Sequence, residues 1–263
     1  MRGRWEVPGV EWTHRAHTEA LAREIEAFAR AVRGMDLDVP VPTCPGWDLR
    51  ELVRHTGWVH RWAALVVRTR TPELIDRTTV DPKFPAEDRE AADWLGAGAV
   101  PLISALRDAG PAEAVWSWGG DRHVRFWSRR QLHETAVHRA DAELALGREP
   151  VIDAEVADDG VAEFFDVLPY ARWNRKVREL RAGDGRGETL SWQYGDRPGW
   201  VVTLTPEGFG HERSGKPGDV TVRAANATDL LLAVWGRRPI DGPRYTVEGD
   251  ASLLTWWTGR ARV

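Results

Sequence analysis

Apolar residues between Trp12 and Val32 recur every three or four positions among charged ones, which predicts an amphipathic helix. Three further segments of the first half show the same spacing. They cover residues 48–66, 88–106 and 128–147, with Asp48 and Ser128 as the expected N-caps of the second and fourth helices. Four helices of this length joined by loops favour a four-helix bundle.

The connections in this half contain prolines. Three prolines interrupt residues 38–47, so an ordered loop is expected there rather than a helix. Residues 71–87 also contain prolines and are expected to form a loop with at most one short helix. Gly96, Gly98 and Pro101 are expected to weaken or kink the third helix.

After Pro150 the pattern changes from helical spacing to short alternating runs. Strands are predicted at residues 189–194, 199–205, 208–213, 219–224 and 245–249, and helices at 154–167, 226–236 and 251–257. The glycine-rich residues 183–187 are expected to form a turn or flexible tip. We therefore predict two domains, a helical bundle at residues 1–150 and a smaller α+β domain at residues 151–263.

The composition excludes several classes of protein. The chain has 263 residues, a net charge of −4 and a pI near 6.1, so it presents no basic field to attract nucleic acid or an anionic membrane. It has no apolar run of about 18 residues, and residues 1–6 lack the apolar segment of a secretory signal. A cytoplasmic protein, monomeric or weakly homo-oligomeric, is expected.

The single Cys44 excludes an internal disulfide and a cysteine-rich zinc cluster, so a bound metal would have to use His, Asp or Glu. Glu134 and His138 lie four residues apart in the fourth helix, where they would share one face and could hold one metal ion. His55, in the second helix, is the best candidate for a third ligand. Two histidines and one carboxylate would leave a coordination position open for chemistry.

Each of these residues also has an ordinary explanation. His55 can be a hydrogen-bonded structural histidine, and Glu134 with His138 can be a surface i,i+4 pair. His14 and His17 are reserve ligands. Cys44 as a ligand or nucleophile is the less favoured interpretation.

Neighbouring residues of the candidate ligands have other expected roles. His60 is about 140° around the helix from His55 and should not share its site. Asp141 can accept a hydrogen bond from His138, although a purely structural role is favoured. The aromatic turn at residues 115–120 is expected to pack rather than to line a pocket.

Three sequence patterns together resemble a known family. They are Pro-Gly-Trp-x-x-x-x-Leu-x-x-His at residues 45–55, Glu-x-x-x-His-Arg-x-Asp at residues 134–141, and the run 229–237 followed by Val-Glu-Gly-Asp at residues 247–250. The chain is similar to the mycothiol-dependent maleylpyruvate isomerase family. This resemblance implies a DinB-like metal-binding bundle followed by a sterol-carrier-like α+β domain.

The resemblance also implies roles for individual residues. His55, Glu134 and His138 occupy the positions that bind zinc in the family. Arg237 matches an arginine that faces the interdomain cleft, where it could anchor a dicarboxylate or a developing enolate, and Arg238 is the alternate. The ordinary explanation of Arg237 is a surface salt bridge or a charge at a helix C-terminus.

The expected function is that of a metal-dependent enzyme with mycothiol as thiol cosubstrate and zinc, or another divalent ion, as cofactor. The family implies that the thiolate adds to a cis double bond and is eliminated as the trans product; in S-transferase relatives the thiol stays on the electrophile. The partner would be a small electrophilic or dicarboxylate molecule. The alternatives are a noncatalytic module that binds zinc or a small ligand, and a metal-assisted hydrolase.

Overall fold

The computed structural model describes residues 12–181 and 185–263, so the N-terminal residues 1–6 and part of the glycine-rich segment, residues 183–184, lie outside the described residues. Four long helices make up the first half. They are α1 (His14–Val32), α2 (Leu49–Thr69), α3 (Ala91–Asp108) and α4 (Val124–Ala145). Helix α1 packs on α3 and α4, and α2 packs on the same two helices, which confirms the predicted four-helix bundle. Among the described residues, no helix combines the length and apolarity that crossing a membrane requires.

The start of α4 differs from the prediction. Ser128 lies inside this helix, which begins four residues earlier at Val124 after His123. The hydroxyl of Ser128 donates to the carbonyl of Arg125 at 3.0 Å, a bond within the helix rather than a cap. Val124 and Trp127 are fully buried, so burial of apolar side chains in the first turn extends the helix towards its N-terminus.

Other boundaries agree with the pattern. Asp48 caps α2 by accepting the Glu51 N–H at 2.8 Å, as expected. Between α2 and α3 there are only two 3₁₀ turns among the described residues, Arg77–Thr79 and Asp88–Glu90. Helix α3 continues through Pro101.

The second half is an α+β unit. Its helices are α5 (Ala154–Val167), α6 (Arg175–Arg181), α7 (Ala227–Val234) and α8 (Ala251–Thr258), and its strands are β1 (Thr189–Tyr194), β2 (Gly199–Thr205), β3 (Gly208–Ser214), β4 (Val220–Ala224) and β5 (Tyr245–Gly249). The strands form one sheet in the order β3-β2-β1-β4-β5, in which only the pair β1 and β4 is parallel among the described strands. Helix α6 was not predicted from the sequence.

One apolar core runs from the bundle into the sheet. Leu21 and Trp62 of the bundle belong to the same buried cluster as Leu190 and Val222 of the sheet. Helix α5 packs on α7 and also touches α4, so it joins the two halves. The predicted division at residue 150 falls in the connection between α4 and α5 and stays a prediction. This packing places the segment after α7 beside α4, the helix that carries the predicted ligands Glu134 and His138.

Candidate metal centre facing a cavity

The loop before α2 places His55. The Val41 N–H donates to the Trp47 carbonyl at 2.9 Å, and the Leu49 N–H donates to the Val39 carbonyl at 3.0 Å. Gly46 lies between them with a φ of +87°, a left-handed conformation that glycine adopts without steric cost. The loop therefore folds back on itself and holds Trp47 against α2, where its ring centroid lies 4.8 Å from that of His55.

Helix α4 places the other two predicted ligands opposite His55. The Oε1 atom of Glu134 lies 3.2 Å from Nε2 of His138 and 3.6 Å from Nε2 of His55. One ligand atom from each residue lies within 4.8 Å of the others. Ligand atoms around a tetrahedral zinc ion, with bonds near 2.0–2.1 Å, are about 3.3 Å apart. These three residues, named here the cavity triad, fit a divalent metal, and the sequence predicted all three.

Two contacts behind the cavity triad orient the ligand atoms of His138 and Glu134. His138 Nδ1 lies 2.9 Å from Oδ2 of Asp141, so a proton on Nδ1 is bound there and Nε2 is the nitrogen that faces Glu134. Arg130 binds Oε2 of Glu134, which leaves Oε1 as the oxygen that faces the two histidines. Asp141 therefore orients a candidate ligand, a role that the sequence had ranked below a structural one.

The charges around the cavity triad favour an ionised carboxylate. Burial alone would raise the pKa of Glu134, but the positive charge of Arg130 and hydrogen bonds from His138 and His55 hold that pKa well below its ordinary value. Arg130 is itself fully buried and also binds both oxygens of Glu163, at 2.7 and 2.8 Å. Glu134 is thus an anion at neutral pH, as a metal ligand must be.

A cavity of about 690 Å³ opens beside the cavity triad. Its walls come from the loop before α2, from α2 and α4, from Trp118 and Trp173, and from the segment after α7. Arg237 lies in that segment and lines the cavity, while its Nε lies 3.2 Å from Oδ1 of Asp141. Arg238 instead binds Asp229 and lies 2.9 Å from Glu149. The structure thus brings Arg237 to the site, and its catalytic role stays a prediction.

The reserve histidines lie elsewhere. His14 contacts the Ser128 hydroxyl at 2.8 Å and the Leu106 carbonyl at 2.7 Å. His60 is fully buried and contacts the Thr135 hydroxyl at 2.9 Å, so it does not join His55, as expected.

Cys44 lines the cavity, and its thiol donates to Oδ2 of Asp141 at 3.4 Å, beside His138 rather than in the cavity triad.

His17 belongs to a second cluster on another face of α4. Nε2 of His17 lies 3.0 Å from Oδ2 of Asp159, and Nε2 of His133 lies 2.7 Å from the same oxygen. Arg129 adds an ion pair to the other oxygen of Asp159 at 2.9 Å. Oδ2 of Asp159 thus contacts two histidines, and its Oδ1 contacts a guanidinium cation. We name His17, His133 and Asp159 the closed triad.

Several residues of the site were missed from the sequence. The i,i+4 spacing of Arg130 and Glu134 was a signal for their ion pair. Trp118 lines the cavity, whereas its aromatic turn was expected only to pack. Arg77 and Trp173 reach the cavity from segments without a distinguishing pattern.

The chain is similar to known proteins in the sequence of its first half and in its fold. Residues 18–143 match the family model of the mycothiol maleylpyruvate isomerase N-terminal domain. A solved structure described as that of the mycothiol-dependent maleylpyruvate isomerase superposes with a TM-score of 0.58 over 92% of this chain and 95% of that chain, at 13% sequence identity. No curated protein matches the chain in sequence. The resemblance predicted from the sequence is confirmed: residues 18–143 match the mycothiol maleylpyruvate isomerase N-terminal domain model, and 92% of the chain shares the fold of the solved maleylpyruvate isomerase.

Proposed function

We propose that this protein is a metal-dependent enzyme that activates the thiol of mycothiol for addition to an electrophilic small molecule. The observation that carries the proposal is the cavity triad, whose three ligand atoms converge at the wall of a cavity large enough for a cosubstrate and an electrophile. A divalent ion held by two histidines and one carboxylate supplies positive charge that lowers the pKa of a coordinated thiol.

The protein's own residues would set up this chemistry. Asp141 holds the proton of His138 on Nδ1, so Nε2 is available as a ligand. Arg130 occupies one oxygen of Glu134 and leaves the other for the metal. Arg237 lies against Asp141 and so supports the orientation of His138 from the far side. Each candidate ligand is thereby oriented before metal binding.

The reaction after thiol activation has two branches. In maleylpyruvate-type isomerisation the sulfur adds to the cis double bond, the resulting single bond rotates, and the sulfur is eliminated. In S-transfer the sulfur remains on the electrophile. Both branches begin with the same addition, so the cavity triad serves either. We also propose a cytoplasmic location and a small-molecule partner, as expected from the sequence.

The test uses wild type and two histidine variants. We expect purified wild type to hold about one zinc ion per chain and to consume maleylpyruvate, or an electrophile from a panel, only when mycothiol is present. His55→Ala removes a ligand of the cavity triad and should lose both properties. His17→Gln is the matched control, since it changes a histidine of the closed triad on the same bundle, and it should keep both.

Other outcomes would contradict the proposal. Bound zinc without any thiol-dependent turnover would favour a noncatalytic metal-binding module. Turnover of a hydrolysable substrate without thiol would favour a metal-assisted hydrolase. Loss of zinc in His17→Gln with retention in His55→Ala would place the metal in the closed triad instead.

A further inference from the structure

The arginines of the cavity differ in whether a carboxylate neutralises them. Arg130 is held between Glu134 and Glu163, and Arg237 contacts Asp141. Arg77 and Arg262 also line the cavity, and neither forms an ion pair with a carboxylate in the described parts of the chain. Their positive charge is therefore available to a bound molecule. Of these two, Arg77 is the one that lies over tryptophans of α2.

Arg77 lies over the face of α2 that carries the candidate ligand His55. Its guanidinium carbon is 4.8 Å from the ring centroid of Trp62 and 5.8 Å from that of Trp58. Trp58 is in turn 6.5 Å from His55, centroid to centroid. Stacking on a ring occupies the flat face of a guanidinium and leaves its N–H groups, which lie in the plane, free to bind an oxyanion. The cation is thus held beside the helix that carries His55, and its N–H groups form no hydrogen bond with the described residues.

The same cavity presents aromatic surface. Trp47 packs beside His55, with 4.8 Å between the ring centroids. Trp118 and Trp173 meet edge to face at 5.0 Å, and the side chain of Trp173 is 59% exposed. Large apolar rings with free surface in a cavity favour a planar apolar ligand, because its burial removes both surfaces from water.

We propose that the electrophile is a planar aromatic carboxylate, whose ring lies against these tryptophans and whose carboxylate binds Arg77. This inference rests on the proposed function, since it names the molecule that receives the thiol. It makes Arg77 a determinant of substrate specificity. It also favours the S-transfer branch, in which sulfur bonds to the aromatic compound and stays there.

The transfer of sulfur to an aromatic carboxylate can be written out for one defined probe. With 4-chloro-3-nitrobenzoate, the sulfur of mycothiol forms a bond to the ring carbon that carries chlorine. The carbon–chlorine bond breaks, chloride leaves with its electron pair, and the thiol proton passes to the buffer. The matched neutral probe is 4-chloro-3-nitrobenzamide, which has nearly the same shape and no charge.

The kinetic test compares the two probes, each corrected for its uncatalysed rate. We expect wild type to favour the benzoate, and Arg77→Gln to lose roughly 10- to 100-fold in kcat/KM on the benzoate, mainly through KM, because a hydrogen bond to a charged group is lost. The benzamide should be unaffected. Arg260→Gln is the control, since Arg260 also stacks on a tryptophan, Trp256, at 4.8 Å but lies outside the cavity lining. Arg77→Lys should recover part of the preference because it keeps the charge.

A binding measurement separates this inference from the proposed function. Calorimetric titration of the zinc-loaded protein with unreactive 3-nitrobenzoate and 3-nitrobenzamide requires no thiol. Tighter binding of the benzoate that disappears in Arg77→Gln supports the anion site, even if thiol-dependent turnover is absent and the proposed function fails. Equal binding of the two compounds by wild type, or an unchanged preference in Arg77→Gln, would overturn the inference.

Discussion

The cavity triad and the closed triad have the same composition, two histidines and one carboxylate, and both use α4, yet they differ in geometry. His133 and Glu134 are neighbours on that helix, so their side chains point about 100° apart and belong to different triads. In the closed triad the nitrogens lie 2.7 and 3.0 Å from one carboxylate oxygen, which is hydrogen-bond distance. In the cavity triad the corresponding distances are 3.2 and 3.6 Å.

Both clusters bring three donor atoms of the same types within 4.8 Å of one another, so residue types alone do not distinguish them. In the closed triad the histidines bind the carboxylate directly, and Arg129 already supplies a cation. In the cavity triad Arg130 takes one oxygen of Glu134 and leaves the other to face two nitrogens across a wider gap. We propose that the placement of the neighbouring arginine distinguishes a cluster that stabilises the fold from one that binds a metal.

The largest expected effect comes from breaking the closed triad. Asp159→Asn removes the negative charge beside Arg129, whose side chain is three-quarters buried, and removes an acceptor shared by two histidines. Loss of one partner of a buried ion pair costs about 3–5 kcal/mol when the other charge is left alone. Arg129 keeps an ion pair with Asp166 at 2.7 Å, so we expect the lower end of this range, a decrease of about 3 kcal/mol in the free energy of unfolding. Denaturant unfolding at pH 7 measures this decrease.

Metal content is the matching readout for Asp159→Asn. At temperatures where the variant is folded, its zinc content should equal that of wild type, because the cavity triad is intact. A variant of unchanged stability that lost zinc would show that the two triads had been assigned the wrong roles.

The sequence predicted the cavity triad because its signal is local. Glu134 and His138 are four residues apart in one helix, and Asp48 marks the start of the helix that carries His55. The strands were also predicted to within one or two residues at each end, since glycine or proline bounds each alternating run.

The closed triad shows what local patterns leave out. His17 was recognised as a histidine near the start of α1, but its partners are 116 residues away on α4 and 142 residues away on α5. Contacts of this kind depend on how helices pack, which spacing along one helix does not specify. The wrong start predicted for α4 has a similar cause, because burial of Trp127 against the bundle outweighed the capping preference of Ser128.

A smaller effect should follow from changing the residue behind the cavity triad. Asp141→Asn keeps the shape of the side chain but loses the charge that holds the proton of His138 on Nδ1. Changes to such supporting carboxylates typically reduce metal affinity by about 10- to 100-fold, so we expect weaker zinc binding with the ligands themselves intact. Competition with a chelator of known affinity measures the loss. His133→Gln, which alters the closed triad, should leave the zinc affinity unchanged, and a similar loss in both variants would contradict separate roles.

The pH dependence of the free energy of unfolding tests the protonation state of His133 in the closed triad. Burial lowers the pKa of His133 to about 4, against the opposing effect of Asp159, whereas the same group in the unfolded chain titrates near 6.5. Between these values the unfolded state binds a proton that the folded state does not, so the free energy of unfolding falls as the pH falls, by up to about 1.4 kcal/mol per pH unit. His133→Gln keeps an N–H donor for Asp159 but does not titrate, and its stability should decline less steeply between pH 6.5 and 5. Equal slopes would show that folded His133 takes up the proton.

The measurement should be repeated with a chelator, because a metal held by the closed triad would also keep His133 unprotonated. If the difference between the two slopes is the same with and without metal, burial alone keeps His133 neutral and the closed triad holds no metal.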